Sequence, residues 1–198
     1  MKLSICIPIH DTPNTAFFLS RALNSIANQT FTDYEIVITK EGQFAENHNA
    51  AIKKAKGDIV QMLQMDDYFS HTHALENIVR GFDKGAVWQI TACLHYDGKV
   101  VDGLHKPEWT DDICTGNNRL GSVSTLSFKR ENALLFEEPL QWIVDCELYY
   151  RLNLKYGEPH ILLTPNVVID TRIHRLTHTL LDEVKISEVN YLRKKYGK

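Results

Sequence analysis

The first 85 residues alternate short apolar runs with segments of helical periodicity, and this order restricts the fold more than any other feature. The apolar runs lie at 3–9, 34–39 and 58–63, and the helical patterns at 18–26, 45–55 and 73–82. Strands that alternate with helices form parallel sheets through right-handed crossovers, which bring the C-terminal strand ends to one edge. We therefore predict that the loops at 10–14, 39–44 and 64–70 face one crevice.

Two details of the helical segments give specific expectations. Phe18, Ala22 and Ile26 are spaced four residues apart, so they form one apolar stripe that would pack against the sheet. Gly57 follows the second helical segment, and glycine commonly ends helices, so we expect it to be the C-terminal stop of that helix.

The second half of the sequence predicts a mixed sheet. Apolar runs at 87–96 and 99–101 flank an Asp97-Gly98 turn, which is typical of a hairpin, and 123–128 predicts a further strand. Helical patterns follow at 146–156, which ends at Gly157, and at 181–196. The predicted fold class is therefore α/β, with a mixed sheet flanked by helices in a single domain.

Composition excludes several classes of protein. The net charge of -3 argues against a chain that holds nucleic acid mainly by bulk charge. No apolar run is as long as a bilayer span and the N-terminus lacks a signal-peptide pattern, so we expect a cytoplasmic protein without stable membrane insertion. The four dispersed cysteines form no Cys-x-x-Cys pair, which argues against a thiolate zinc site or a redox motif.

Two adjacent carboxylates, Asp66 and Asp67, follow the third apolar run. Ligands of open α/β sheets bind outside the carboxyl ends of the strands, and carboxylate oxygens suit a divalent cation that holds a diphosphate. An Asp-Asp pair after a strand is also common in ordinary surface turns. The pair alone leaves both interpretations open.

Several short motifs occur in the order seen in a known family. They lie at 4–11, 22–30, 34–38, 49–58, 128–130, 145–152 and 171–174. Through them the chain resembles, over nearly its full length, the family 2 inverting glycosyltransferases of the GT-A fold. The resemblance implies a Rossmann-like mixed sheet in one glycosyltransferase domain, with a nucleotide-sugar-binding half at 1–85, an acceptor-binding half at 86–180 and a C-terminal helix at 181–198.

The implied activity is the transfer of a hexosyl or pentosyl group from a nucleoside diphosphate sugar to an acceptor hydroxyl, with inversion at the anomeric carbon. Asp66 matches the last carboxylate of the family's Asp-x-Asp motif and is expected to bind Mn²⁺ or Mg²⁺, which stabilises the departing diphosphate. Asp67, as a neighbouring carboxylate, and His174, as the family's late histidine, are the other expected metal-site residues. The residues expected to contact the donor are Pro8, His10, Asp11, Glu41, Asn49, Gln64 and Asp66.

Asp145 matches the catalytic aspartate of the family's Glu-Asp pair. Inversion in one step requires a base that removes the proton of the attacking hydroxyl, and the resemblance assigns that role to Asp145. Its predicted position at the start of a helix also fits a simple helix cap. Both roles are open on the sequence alone.

The sequence departs from the family pattern at four positions. In the family, an aspartate of the segment that here contains Lys40 commonly reads uracil, which makes a UDP-sugar the first expectation for the donor. Lysine offers no acceptor for the uracil N–H, so the identity of the base stays open. Gln64 replaces the first carboxylate of Asp-x-Asp, Val144 replaces the glutamate of the Glu-Asp pair, and His48 stands where an arginine is frequent. These changes put donor preference and activity in question.

Two other functions compete with an active transferase. The first is a catalytically inactive glycosyltransferase-like module that binds a nucleotide or glycan. The second is a zinc hydrolase using His71, His73, His174 and His178, which lacks a placed glutamate base or a third ligand. For the transferase we expect a soluble acceptor, which could be a glycan, a protein, a small molecule or a modified nucleic acid base. Trp109, in a polar segment, is a candidate acceptor contact.

Overall fold

An eight-stranded mixed sheet forms the centre of the structure, a computed structural model that describes residues 1–172 and 180–197. The strands are β1 Leu3–Pro8, β2 Tyr34–Thr39, β3 Ile59–Met62, β4 Tyr68–Phe69, β5 Trp88–Tyr96, β6 Val101–His105, β7 Leu126–Lys129 and β8 His160–Asp170. The helices are α1 Thr15–Ala27, α2 Phe44–Lys54, α3 Ala74–Asp83, α4 Val144–Tyr156 and α5 Asp182–Tyr196.

The strand order is β2-β1-β3-β7-β5-β8-β4, with β6 paired to β5. β1 is parallel to β2 and β3, so the C-terminal ends of these strands share one edge. β7 runs antiparallel to both β3 and β5, while β5 and β8 are parallel. The predicted parallel first half and mixed second half are both confirmed.

Both faces of the sheet are covered by apolar packing. Successive strand residues point to opposite faces, so Ile5 and Ile7 pack on the side of α1 and α3 while Cys6 packs on the side of α2 and α4. Phe18, Ala22 and Ile26 are the buried residues of α1, which confirms the predicted stripe. This two-sided burial explains why β1 reads as a continuous apolar run rather than an alternating one.

Gly57 has a different role from the one predicted. α2 ends at Lys54, followed by Ala55 in an extended conformation, so Gly57 is not its terminal residue. A Cβ at position 57 would lie 2.8 Å from the carbonyl oxygen of Lys2. Glycine is needed here because the backbone runs directly against β1.

The second half contains strands that sequence patterns missed or misplaced. β8 was not predicted because Thr164-Pro165-Asn166 interrupts its apolar residues, and its pairing with β5 shifts register there. The short strand β4 was also missed. β6 covers Val101–His105 instead of 99–101. Most of its residues are exposed, so its sequence lacks the alternation of apolar and polar residues that marks a half-buried strand.

Candidate active site

The Asp66-Asp67 segment forms a tight turn after β3. The Asp67 N–H donates to the carbonyl of Gln64 at 3.0 Å. Asp67 is only 1% exposed, and its carboxylate accepts hydrogen bonds from the Ser124 hydroxyl at 2.5 Å and from the Asp170 N–H at 2.8 Å. Asp67 therefore ties the turn to the segment before β7 and to the end of β8, while Asp66 stays half-buried.

A buried ion-pair group lies beside this turn. The Asp170 carboxylate accepts from Arg21 at 2.8 Å and from Arg172 Nε at 2.8 Å, and Arg21 also donates to the carbonyl of Asp66. Burial acts to raise the pKa of Asp170, but the hydrogen bonds from the two guanidinium groups outweigh it and hold that pKa below its ordinary value. Two arginines against one aspartate give the group a net positive charge near Asp66.

His10 follows β1 and lies within electrostatic reach of Asp66. Burial lowers the pKa of the half-buried His10 imidazole, while the negative charge of Asp66 acts in the opposite direction. The imidazole is therefore neutral at pH 7. The structure thus brings together two of the predicted donor-contact residues at the edge where β1 and β3 end.

The other predicted contacts after β1 and β2 form an exposed rim. Lys40 pairs with Asp11 at 2.7 Å and Lys54 pairs with Glu41, and such exposed pairs contribute little to stability. The buried side chain of Asn47 joins the two loops, because it donates to the carbonyl of Ile9 and accepts from the N–H of Glu41. The role of Asn47 could not be identified from the sequence, because it depends on these long-range backbone contacts.

Pro8 and Asn49 are buried near this rim. Pro8 is the last residue of β1, opposite Thr39 of β2. The Asn49 amide donates to the carbonyl of Phe136 at 2.9 Å and accepts from its N–H at 2.7 Å. The Asn49 amide also donates to the Glu138 carboxylate at 3.3 Å. A donor contact by Asn49 stays a prediction.

His48 carries no positive charge, unlike the arginine that is frequent at this position in the family that the chain resembles. The imidazole is stacked on Phe44 and is almost fully buried. Burial lowers the pKa of His48 to about 3, so the ring is neutral. Any charge that compensates a bound diphosphate must come from another residue.

Asp145 is the second residue of α4, one position inside the helix. Ile143 occupies the cap position without a side-chain cap, so the helix-cap interpretation of Asp145 is wrong. One Asp145 oxygen accepts from the Asn118 amide at 2.9 Å and the other from the Cys146 N–H at 2.8 Å. Burial raises the pKa of the Asp145 carboxyl.

A cavity of about 310 Å³ opens beside Asp145. Its polar lining includes His95, His105, Asn118, Ser122 and Asp145, and the Trp142 ring forms part of its wall. The Ser122 hydroxyl donates to the side-chain carbonyl of Gln64 at 3.4 Å, so a residue two positions before Asp66 contacts the cavity wall. The Asp66 turn and the Asp145 cavity are therefore neighbours.

The terminal helix α5 supports the entrance to α4 through Glu188. Its buried carboxylate accepts from the backbone N–H groups of Gln141 at 2.7 Å, Trp142 at 2.9 Å and Ile143 at 3.1 Å. These groups precede the first turn of α4, where a negative charge is favourable. Glu188 thus holds the segment that carries Trp142 into the cavity wall.

Glu188→Ala is expected to lower the free energy of unfolding by about 2–3 kcal/mol, because three buried N–H groups lose a charged acceptor. Urea denaturation of the full chain measures this loss. Glu183→Ala, an exposed position on the same helix, is the matched control and should change stability by only about 0.5 kcal/mol. Equal effects of the two substitutions would contradict the assigned role of Glu188.

The described residues offer a sparse set of metal ligands. Within 1–172 and 180–197, no group of three His, Cys, Asp or Glu side chains could hold a metal ion. Asp67 is committed to hydrogen bonds, Asp170 to ion pairs, and the predicted ligand His174 lies outside the described residues. Mg²⁺ is commonly bound by one or two carboxylates together with substrate phosphates. The accessible carboxylate of Asp66 fits such a site, in which the donor diphosphate would supply further oxygen ligands.

The zinc-hydrolase alternative gains no support from this part of the chain. His73 contacts Thr30 and Glu76 on the surface, and His174 and His178 lie outside the described ranges. None of the helices in 1–172 and 180–197 is long and apolar enough to cross a membrane.

Comparison with known proteins identifies the fold. No protein-family model matches the sequence. An uncharacterized glycosyltransferase of Nostoc sp. is 27% identical over an alignment 197 positions long that covers 75% of this chain and 59% of the relative. This chain therefore spans about three-fifths of that relative's length.

Solved structures are similar over almost the whole chain. S. aureus TarS in complex with UDP has a TM-score of 0.69 at 18% identity, covering 97% of this chain and 64% of that one. Its complex with UDP-GlcNAc gives 0.71 at 17% identity, covering 98% and 66%. The mannosyltransferase PcManGT from Pyrobaculum calidifontis, with GDP-Man and Mn²⁺, gives 0.64 at 14% identity, covering 98% and 63%. The chain has the GT-A fold, as predicted.

Proposed function

We propose that this chain is a metal-dependent inverting glycosyltransferase that transfers a sugar from a nucleoside diphosphate sugar to a hydroxyl of a soluble acceptor. One observation carries the proposal: a half-buried carboxylate with a raised pKa, Asp145, lines a cavity that adjoins the Asp66 turn. The curated relative is a glycosyltransferase, and the solved neighbours bind UDP, UDP-GlcNAc or GDP-Man. These names support a nucleoside diphosphate sugar as the donor class.

Asp145 has the properties required of the base. Its carboxylate lines the cavity, where one oxygen accepts from the Asn118 amide and the other from the Cys146 N–H, and the acceptor hydroxyl is proposed to hydrogen-bond it from the cavity side. A base is most effective when its pKa lies near the working pH, and burial moves the pKa of Asp145 in that direction. In the proposed reaction Asp145 takes the proton of the attacking hydroxyl as the anomeric carbon inverts.

The donor diphosphate is proposed to bind beside Asp66. A bound Mn²⁺ or Mg²⁺ would act as a Lewis acid that stabilises the negative charge of the departing diphosphate. Asp66 would hold this cation, with His174 as a proposed second ligand and Asp67 fixing the turn through its buried hydrogen bonds. Arg172, which interacts electrostatically with Asp66, adds positive charge near the proposed diphosphate position.

The proposed sugar position lies between these two groups. Gln64 contacts Ser122 of the cavity wall, so its amide can hydrogen-bond a sugar or ribose hydroxyl as the carboxylate of the family motif does. The exposed pairs Lys40–Asp11 and Lys54–Glu41 border the proposed nucleotide side, where Pro8, His10 and Asn49 also lie. Glu41 is the acceptor available there for a uracil N–H if the donor is a UDP-sugar.

A thermal-shift panel of UDP-, GDP-, ADP- and dTDP-sugars, each with and without Mn²⁺, tests donor binding. A ligand that binds only the native state at 100 times its Kd stabilises the protein by about 2.7 kcal/mol, which raises Tm by several degrees. We expect one nucleoside to produce this shift, and more strongly with Mn²⁺. No shift with any donor would contradict the proposal, and a shift without donor consumption in the presence of acceptors would favour the inactive binding module.

A further inference from the structure

We propose that Asn118 is a positioning residue that fixes the orientation of the Asp145 carboxylate toward the cavity. The inference rests on the proposed function in one respect, namely that Asp145 is the base whose orientation matters. It assigns a role to a residue of the segment before β7 that no sequence motif indicated.

The Asn118 amide uses its full hydrogen-bonding capacity. Its nitrogen donates to Asp145 Oδ2 at 2.9 Å and to the carbonyl of Gly121 at 3.0 Å. Its oxygen accepts from the backbone N–H groups of Leu120 and Gly121, both at 3.0 Å. An asparagine amide offers two donor hydrogens and two acceptor lone pairs, and all four are occupied.

This saturation determines which way the amide faces. Because the Asn118 oxygen accepts from two backbone N–H groups, its nitrogen must point toward Asp145. A flipped amide would place the Asn118 NH₂ group against the N–H groups of Leu120 and Gly121, where no acceptor is present. The Cys146 N–H holds the second oxygen of Asp145. The carboxylate is therefore held at both oxygens where it lines the cavity.

The other ionisable groups that contact Asp145 or line its cavity are thiols, a phenol and imidazoles. The Cys146 thiol also hydrogen-bonds the carboxyl, and burial raises the pKa values of both Cys146 and Tyr149 well above their ordinary ranges. The remaining titratable groups of the cavity wall are Cys93, His95 and His105, on β5 and β6. A second carboxylate at position 118 would be a new kind of neighbour for Asp145.

The Asn118→Asp substitution separates the positioning of the Asp145 carboxylate from the support of the backbone at Leu120 and Gly121. The new side chain keeps an oxygen to accept from Leu120 and Gly121, but it replaces the donor to Asp145 with a negative charge. Two adjacent carboxylates raise the pKa at which the pair loses its second proton. Asn117→Asp adds the same charge at the exposed neighbouring position and serves as the control.

Carboxyl ¹³C NMR titration, with Asp145→Asn used to assign the signal, measures this effect without any need for turnover. We expect the Asp145 midpoint to rise by about one pH unit or more in Asn118→Asp and to stay unchanged in Asn117→Asp. In the native chain, the side-chain amide protons of Asn118 should titrate with the Asp145 midpoint. An unchanged Asp145 midpoint, or Asn118 amide protons that ignore it, would overturn the inference even if the variant folds poorly.

Kinetics provides the second readout. Because the base must be ionised, raising its pKa moves the acid limb of kcat against pH to higher pH. We expect the acid limb for Asn118→Asp to move by the same interval as the Asp145 midpoint, so that a one-unit rise lowers kcat by about tenfold on that limb, while kcat recovers at alkaline pH and KM for the donor is unchanged. A uniform loss at every pH would oppose positioning. Absence of turnover in the native chain would instead count against the proposed function, and the NMR titration would still decide the role of Asn118.

Discussion

Asp145→Asn is expected to abolish sugar transfer while leaving donor binding intact. Asparagine has nearly the same shape as aspartate, but its amide cannot take the proton of the attacking hydroxyl. Loss of a general base typically costs a factor of about 10² to 10⁴, so we expect kcat to fall at least into that range. Release of nucleoside diphosphate measures kcat, and calorimetric titration measures the Kd of the donor.

Asp83→Asn is the matched control for this experiment. Asp83 is exposed at the end of α3, away from the cavity residues, so the same chemical change there should leave kcat unaltered. Turnover by Asp145→Asn at the native rate would remove Asp145 from the mechanism. A large loss of donor affinity in that variant would instead assign Asp145 to donor binding.

Asp66→Asn is expected to remove the effect of Mn²⁺ on donor binding. Asp66 is the accessible carboxylate of the turn, and an amide oxygen lacks the charge that holds a divalent cation. Even outer-shell mutations typically cost 10- to 100-fold in metal affinity, so we expect a loss of about that size or more for a direct ligand. Titration of the donor at increasing Mn²⁺ concentration, in native and variant chains, measures it.

Asp33→Asn controls for the general loss of one negative charge, because Asp33 is exposed in the loop before β2. It should keep the native dependence on Mn²⁺. If Asp66→Asn also keeps that dependence, the cation is held elsewhere or is not used. The positive group around Arg21 and Arg172 would then be a candidate source of charge for a diphosphate near this edge.

Local periodicity made the first half of the fold predictable. β2 has the predicted bounds, and the stripe of Phe18, Ala22 and Ile26 is the buried face of α1. In α1, burial of one face against the sheet imposes a repeat that remains visible in a few consecutive residues. β2 lies at the end of the strand order and is only partly buried, so its β-branched residues identify it instead. β8 lacks such a repeat, because Pro165 interrupts it at the register shift against β5.

The polar framework of the site could not be predicted in the same way. Asp66 and Asp145 follow from motifs, but the partners that orient their surroundings come from distant segments. Asp67 binds Ser124 and the Asp170 backbone, and Glu188 binds N–H groups 45 to 47 residues away. A sequence pattern records which residues are polar, and only the folded chain decides which of them meet.

A crystal structure of the chain with Mn²⁺ and the nucleoside diphosphate sugar selected by thermal shift tests the central claim most directly. We predict electron density for the diphosphate and cation beside Asp66, with the sugar in the cavity and its anomeric carbon facing the Asp145 side. Another cavity, whose lining includes Arg80, Lys84 and His160, offers an alternative anion-binding surface. A donor bound there, with the Asp145 cavity empty, would contradict the proposed mechanism.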